Sequence, residues 1–104
     1  MQVTERRYMN GFYLMGRIIS EPERGETANG TRYCRLKISV DKNARDQEET
    51  SEIYEIAVFR NLAENEYKID QNIGVCGKLQ ANNYEKDGVQ YCNVRLLGNT
   101  VSFV

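Results

Sequence analysis

Tyr33, Arg35 and Lys37 form the most informative group of chemically active side chains in the sequence. They lie two residues apart in the segment 31–41, where apolar residues occupy the alternate positions. A period of two is typical of a β-strand with one buried and one exposed face. Exposed faces without a function usually mix charges of both signs, whereas this face is basic and carries an aromatic ring.

Few residues in the chain are suited to catalysis. There is no His, which excludes histidine triads, histidine zinc sites and the commonest general base. Cys34, Cys76 and Cys92 are odd in number and far apart, so we interpret them as reduced core thiols rather than disulfides or metal ligands. No GxxxxGK or GxGxxG motif is present to hold phosphates. The sequence predicts a protein that is not an enzyme and needs neither metal nor cofactor.

The size and composition indicate one globular domain. The chain has 104 residues, of which 40% are hydrophobic and 28% charged. The net charge is −1, but residues 1–40 carry 7 basic and 4 acidic side chains, whereas residues 41–70 carry 4 and 9. No apolar run is long enough for a membrane span, and the N-terminus lacks a signal peptide. We therefore expect a cytoplasmic protein with no membrane partner.

Turn residues divide the chain into five predicted strands, at 12–20, 31–41, 52–60, 73–84 and 89–97, with a terminal apolar piece at 101–104. The first is uniformly apolar around Gly16, which predicts a buried, bent strand. A wide loop should follow it and close at Asn29-Gly30. The last two strands should form a hairpin at Asp87-Gly88. Residues 42–51 are polar and aperiodic, so we expect a solvated loop.

The third strand separates into two sets of side chains. Tyr54, Ile56 and Val58 are the better core set, which leaves Phe59 on a partly exposed face, where a large aromatic needs a reason. A short helix is predicted over 61–69 with Asn61 as its N-cap. Five strands with a helix between the third and fourth are typical of an OB-fold, an all-β Greek-key barrel. An SH3-like barrel or a small sandwich has a similar strand count but does not usually place a helix there.

Four stretches resemble the bacterial and phage single-stranded DNA-binding proteins, an OB-fold family. They are MNGFYLMGRI at 9–18, EPE at 21–23 with NG at 29–30, YEIAVFRNLAE at 54–64, and VCGKLQANNYEKDGVQY at 75–91. Their order and spacing carry the resemblance, which extends over residues 9–104. It implies a single OB domain at 9–104, preceded by an extension at 1–8 that could be a basic arm, a subunit contact or a disordered segment.

The resemblance implies that aromatic and basic side chains on the barrel hold single-stranded DNA with little sequence preference. It places Phe59 and Tyr84 at two aromatic positions, while Ala44 and Ile53 stand where the family often has tryptophan. Tyr91 could compensate, as could Tyr33, whereas Tyr54 belongs to the inward set. The predicted nucleic-acid-binding residues are Arg17, Arg32, Tyr33, Arg35, Lys37, Ile53, Phe59, Lys78, Tyr84 and Lys86.

The resemblance also implies partners. We expect a homodimer or homotetramer that binds single-stranded DNA during replication, recombination or repair, encoded by a bacterium, a phage or a mobile element. The sequence stops at Val104, directly after its last strand, which predicts no acidic C-terminal tail for recruiting replication enzymes. Two alternatives remain open: a dimeric OB adaptor like primosomal replication protein N, which acts through protein contacts, and an RNA-binding OB domain.

Overall fold

The structure is a computed structural model that describes residues 9–41 and 51–104. The expected N-terminal extension at 1–8, most of the expected loop at 42–51, and Ala44 lie outside the described residues. The strands are β1 (Phe12–Ile18), β2 (Glu23–Glu26), β3 (Arg32–Asp41), β4 (Ser51–Phe59), β5 (Asn72–Lys86) and β6 (Val89–Phe103), with a 3₁₀ turn at Arg60–Glu64.

The segment expected to be a wide loop contains a short strand, so that expectation is wrong in part. β2 pairs antiparallel with β3, from Glu23 opposite Arg35 to Glu26 opposite Arg32. The turn that joins them is closed by the amide of Thr27, which donates to the carbonyl of Thr31 at 2.8 Å. The predicted turn at Asn29-Gly30 is confirmed.

The strands close into a barrel in the order β1-β5-β6-β4-β3, and β3 returns to β1. β1 takes part twice, because it pairs with β5 over residues 12–17 and with β3 at Arg17 and Ile18. β4 and β6 run parallel and pair only from Ile56–Leu96 to Val58–Gly98. This closure, with the 3₁₀ turn between β4 and β5, confirms the predicted OB-fold.

Gly16 explains how β1 bends onto two neighbours. A Cβ atom at this position would lie 2.4 Å from the carbonyl oxygen of Ser39, so only glycine allows β1 to approach β3 this closely. The strand is not buried throughout, contrary to expectation. The side chains of Tyr13 and Met15 are 64% and 51% exposed, because alternate residues of β1 point out of the barrel.

The core consists of the inward-facing residues of the barrel strands together with Ala63 and Tyr67, which cover one end. It comprises Ile18, Cys34, Leu36, Ile38, Ile56, Val58, Ala63, Tyr67, Ile73 and Val75. The predicted register of β4 is confirmed, since Ile56 and Val58 are buried and Phe59 is only half-buried. The expectation that Tyr54 belongs to the core is wrong: it is half-buried near the start of β4, and its hydroxyl donates to the Glu52 carboxylate.

The predicted helix at 61–69 is a 3₁₀ turn over Arg60–Glu64, and Asn61 does not cap it. Side chains bond the carbonyls that a longer helix would use. The Arg24 guanidinium donates to the carbonyls of Ala63 and Asn65, the latter at 2.7 Å, and the Tyr67 hydroxyl donates to that of Leu62 at 2.7 Å. These bonds end the helix and hold Tyr67 in the core.

The β5–β6 hairpin is longer than predicted, with paired residues from Ile73–Phe103 to Lys86–Val89. Asp87 and Gly88 have φ angles of 53° and 78°, which confirms the predicted turn. The prediction that all three cysteines are core thiols is wrong in part. All three are free thiols, but only Cys34 is buried, whereas Cys76 is half-buried and Cys92 lies exposed on the hairpin. In the part of the chain that is described, no helix has the length and apolarity of a membrane span.

Candidate nucleic-acid interface

The outward side chains of β3 and β4 lie side by side because the two strands pair in register. Tyr33 is opposite Phe59, Arg35 is opposite Ala57, and Lys37 is opposite Glu55. Directly paired residues of an antiparallel sheet project from the same face. The predicted basic and aromatic residues of β3 therefore share a surface with Phe59, and we call the outer surface of β3 and β4 the barrel face.

The ring of Tyr33 is held from two sides. A Cβ atom at Gly25, on the paired strand β2, would lie 2.5 Å from the Tyr33 hydroxyl oxygen, so the phenol lies across the bare backbone of that glycine. The Arg35 guanidinium carbon is 5.2 Å from the centre of the Tyr33 ring, within cation–π range. The aromatic ring and the first cation of the β3 face are thus in direct contact.

Carboxylates accompany the cations of the barrel face. Arg35 also pairs with Glu23 on β2, with 3.8 Å between guanidinium nitrogen and carboxylate oxygen. Both side chains are exposed, so water and salt screen their attraction. The Arg35 guanidinium can therefore exchange Glu23 for another anion. A second carboxylate, Glu55, is directly opposite Lys37 in the paired strands. The face has alternating charge and is not uniformly positive.

The pairing continues the barrel face onto the hairpin. Ala57 is opposite Leu97 on β6, and Leu97 is opposite Lys78 on β5. Arg35, Ala57, Leu97 and Lys78 thus form one row across four strands, about 14 Å long at the usual strand spacing. Lys78 is exposed at the end of this row.

The side chains that follow Lys78 at intervals of two lie on the same side of the hairpin, and Tyr84 and Lys86 are among them. Tyr84 is opposite Tyr91, and the two rings stack with centroids 5.2 Å apart and an interplanar angle of 14°. Both tyrosines are exposed, by 42% and 43%. The hairpin therefore presents two adjacent rings, with Lys86 beyond them.

Arg17 and Ile53 flank the other end of the barrel face. Ser39 is opposite Arg17 on β1 and opposite Ile53 on β4, which places the three side chains in one row. Ile53 is 63% exposed. The Arg17 guanidinium lies 3.9 Å from the Asp70 carboxylate, and both groups are exposed.

Arg32 is the predicted site residue that does not join this surface. It has the opposite strand parity from Tyr33, and its guanidinium lies 2.8 Å from a carboxylate oxygen of Glu64 in the 3₁₀ turn. Together with the bonds from Arg24, this pair fastens the β2–β3 hairpin to the turn. The alternation within β3 already separates Arg32 from Tyr33, so the sequence contained the signal.

The structure adds residues that the predicted set omitted. Tyr91 and Arg95 occupy the β6 side of the same surface, opposite Tyr84 and Gln80. A hairpin turn at Asp87-Gly88 fixes this register, because Lys86 then pairs with Val89 and every earlier pair follows. The sequence therefore contained the signal for Tyr91. The carboxylates of Glu23 and Glu55 had no such signal, since their approach depends on pairing between strands.

Among the described residues, the pKa values that are shifted belong to buried or hydrogen-bonded groups. Burial raises the pKa of the Cys34 thiol, partly offset by the Arg24 charge, and burial also raises the pKa of Tyr67. The hydrogen bond to Glu52 raises the pKa of Tyr54. Over residues 9–41 and 51–104, no His, Cys, Asp or Glu side chains cluster as metal ligands.

An OB barrel with rings and cations along one outer face and a long hairpin defines a class of nucleic-acid-binding modules. The chain belongs to the single-strand binding protein family, whose family model matches residues 9–104. It is 31% identical over 103 residues to single-stranded DNA-binding protein 2 of Staphylococcus aureus, covering 92% of this chain and 72% of that protein.

One further relative and one solved structure are similar to this chain. Over 61 residues the chain is 36% identical to the single-stranded DNA-binding protein of Thermotoga maritima, which covers 55% of this chain and 43% of that protein. The chain therefore spans less than half of the T. maritima relative. A solved structure of a Plasmodium falciparum SSB complex with ssDNA matches the fold with a TM-score of 0.71 at 17% identity, covering 97% of this chain and 99% of that one.

Proposed function

We propose that the protein binds and protects single-stranded DNA, with little sequence preference, as a non-catalytic coat during replication, recombination or repair. The observation that carries this proposal is the continuous surface formed by the barrel face and the hairpin, which carries both aromatic rings and cations. Nine of the ten residues predicted to contact nucleic acid share the outward parity of this surface. The bacterial relatives support action on DNA inside a bacterial cell.

Each part of this surface has a separate task in the proposed complex. Phe59, Tyr84 and Tyr91 offer ring faces on which bases stack, worth about 1–3 kcal/mol per base and independent of sequence. Arg35, Lys37 and Lys78 contact phosphates between the stacked bases. Carboxylates partly neutralise the positive charge of the surface. Stacking therefore contributes a larger share of the binding energy than it would if the surface were uniformly basic.

A titration of labelled oligo(dT), the matching duplex and oligo(U) over a series of salt concentrations tests the function. We expect oligo(dT) to bind more tightly than the duplex or oligo(U), with log affinity falling by about 0.7 per decade of salt for each phosphate neutralised. Equal affinity for duplex and single strand, or no binding at low salt, would refute the proposal. Relatives named as single-stranded DNA-binding proteins favour DNA binding over the adaptor role.

We further propose that the protein assembles into a homodimer or homotetramer through β1. Within the described chain, residues 12–16 of β1 pair with β5 on one edge, while pairing with β3 begins only at Arg17. The other edge of β1 therefore has free amide and carbonyl groups over these residues. Tyr13 and Met15, which are exposed, lie on the same stretch of strand. An open edge with apolar side chains suits pairing with the same strand of a second copy.

A further inference from the structure

Glu55 is a carboxylate near the middle of a surface that is proposed to hold a polyanion. Its side chain is exposed on the barrel face, opposite Lys37 and two positions along the strand from Ala57. Among the described residues it has no hydrogen-bond or ion-pair partner, although Glu23 beside it pairs with Arg35. An acceptor in this position repels phosphates and remains available to donors from another molecule.

Glu55 borders a cleft that the fold opens. β4 and β6 pair only from Ile56–Leu96 to Val58–Gly98 and separate at Glu55 and Arg95. The cleft at this separation has a volume of about 470 Å³ and is lined by Arg35, Glu55, Ala57, Val94, Arg95 and Leu96. Two guanidiniums and one carboxylate thus surround an apolar floor.

The floor leaves room for a nucleobase. Ala57 has no side chain beyond Cβ and lies between Phe59 and Glu55 at the outward positions of β4. Those two residues are about 13 Å apart along the strand. A base above Ala57 has the Phe59 ring on one side and the Glu55 carboxylate on the other, while Arg35 and Arg95 can contact the phosphates next to it.

We propose that Glu55 accepts hydrogen bonds from the Watson–Crick edge of a base in this cleft and gives the protein a modest preference for guanine over thymine; this inference rests on the proposed function. A carboxylate only accepts hydrogen bonds and can accept two in parallel. Guanine offers two adjacent donors, the N1–H and the 2-amino group. Thymine offers only its N3–H between two carbonyl acceptors, which repel the carboxylate.

The test compares wild-type protein on two oligonucleotides of equal length, oligo(dT) and a strand with isolated guanines between thymines, in lithium salt to prevent quadruplexes. A single bidentate contact corresponds to about a 5- to 150-fold preference for the right base. Because only some bases occupy the cleft, we expect the guanine strand to bind about fivefold more tightly. Replacing guanine by inosine, which lacks the 2-amino group, should remove most of this difference.

Glu55→Gln and Glu66→Gln form a matched pair of variants, since both remove one exposed negative charge and Glu66 pairs with Lys68 away from the barrel face. We expect Glu55→Gln to abolish the guanine preference and Glu66→Gln to retain it, with both melting as the wild type does. If Glu55 only repels phosphates, the wild type will bind both strands equally and Glu55→Gln will tighten both alike. That result would overturn this inference and leave the proposed function intact, whereas absence of binding to either strand would refute both.

Discussion

The rings of Tyr84 and Tyr91 stack across the β5–β6 hairpin, 5.2 Å apart at 14°. The pair lies far from the buried cluster, and each ring is more than two-fifths exposed. Each ring supports the other, so less side-chain freedom has to be lost when a base stacks on them. The hairpin therefore carries a preformed aromatic surface.

Replacing Tyr84 or Tyr91 by Ala should weaken oligo(dT) binding by about 1–3 kcal/mol, because a stacking surface is lost. The melting temperature should change little, since neither ring contributes to the core. Fluorescence anisotropy with labelled oligo(dT) measures the effect, and Tyr84→Phe should bind almost as the wild type does. Cys92→Ala, on the opposite side of the hairpin, is the control. Unchanged affinity in both tyrosine variants would exclude the hairpin from the interface.

Phe59 and Tyr67 should differ in role, since Phe59 is expected to bind DNA and Tyr67 to stabilise the fold. Phe59→Ala should weaken oligo(dT) binding by about 1–3 kcal/mol with a small loss of stability, because the ring is half-buried. Tyr67→Ala should instead cost about 3–5 kcal/mol of unfolding free energy, because the ring is buried against Ala63 and the core. Thermal melts and titrations of the two variants measure both quantities. The reverse order of effects would assign Phe59 to the core.

Gly25 is predicted to position Tyr33. Gly25→Ala places a methyl group about where the Tyr33 phenol lies, so the ring must move and DNA affinity should fall. In the double variant with Tyr33→Ala the methyl group has nothing to displace. The double variant should therefore bind no more weakly than Tyr33→Ala alone, a coupling that a double-mutant cycle measures. Additive losses would show that Gly25 acts independently of Tyr33.

Stability should decrease in alkaline solution. Burial raises the pKa of Cys34 and of Tyr67 in the folded state, so the folded protein retains protons that the unfolded chain releases. The stabilisation is complete below the unfolded pKa values, about 8.5 for Cys and about 10 for Tyr, and is lost as pH rises above them. Urea unfolding at successive pH values measures this loss, and Tyr67→Phe should reduce the part above about pH 10. A flat profile in the wild type would contradict the prediction.

Assembly through β1 predicts a specific disruption. Met15→Lys adds a charge to the exposed side of the strand, where a second copy would have to bury it. Light scattering should then give a smaller particle than the wild type, while the circular dichroism spectrum stays the same. Lys68→Glu, at an exposed site after the 3₁₀ turn, is the control for a charge change elsewhere. A wild type that is monomeric at all concentrations would refute assembly.

The strand alternation, and with it the faces of β3 and β4, follows from the order of apolar and polar residues alone. Cys34, Leu36 and Ile56 point inward while Tyr33 and Phe59 point outward, because the side-chain period of a strand leaves no other choice once one face is apolar. The turn at Asp87-Gly88 likewise determined that Tyr84 faces Tyr91. Local pattern predicted the OB-fold and the outward residues of β3 and β4, whereas Tyr84 and Ile53 entered the predicted interface through the family resemblance.

Contacts between segments that are distant in the chain could be found only in the folded protein. Arg24 ends the predicted helix by bonding carbonyls about 40 residues away, and Arg32 pairs with Glu64 in the 3₁₀ turn, 32 residues further along the chain. The separation of β4 from β6, which leaves Glu55 beside a cleft, follows from how few residues pair in the parallel closure. Such contacts have no periodic signature in the sequence, because strand order and barrel closure, not spacing along the chain, bring these residues together.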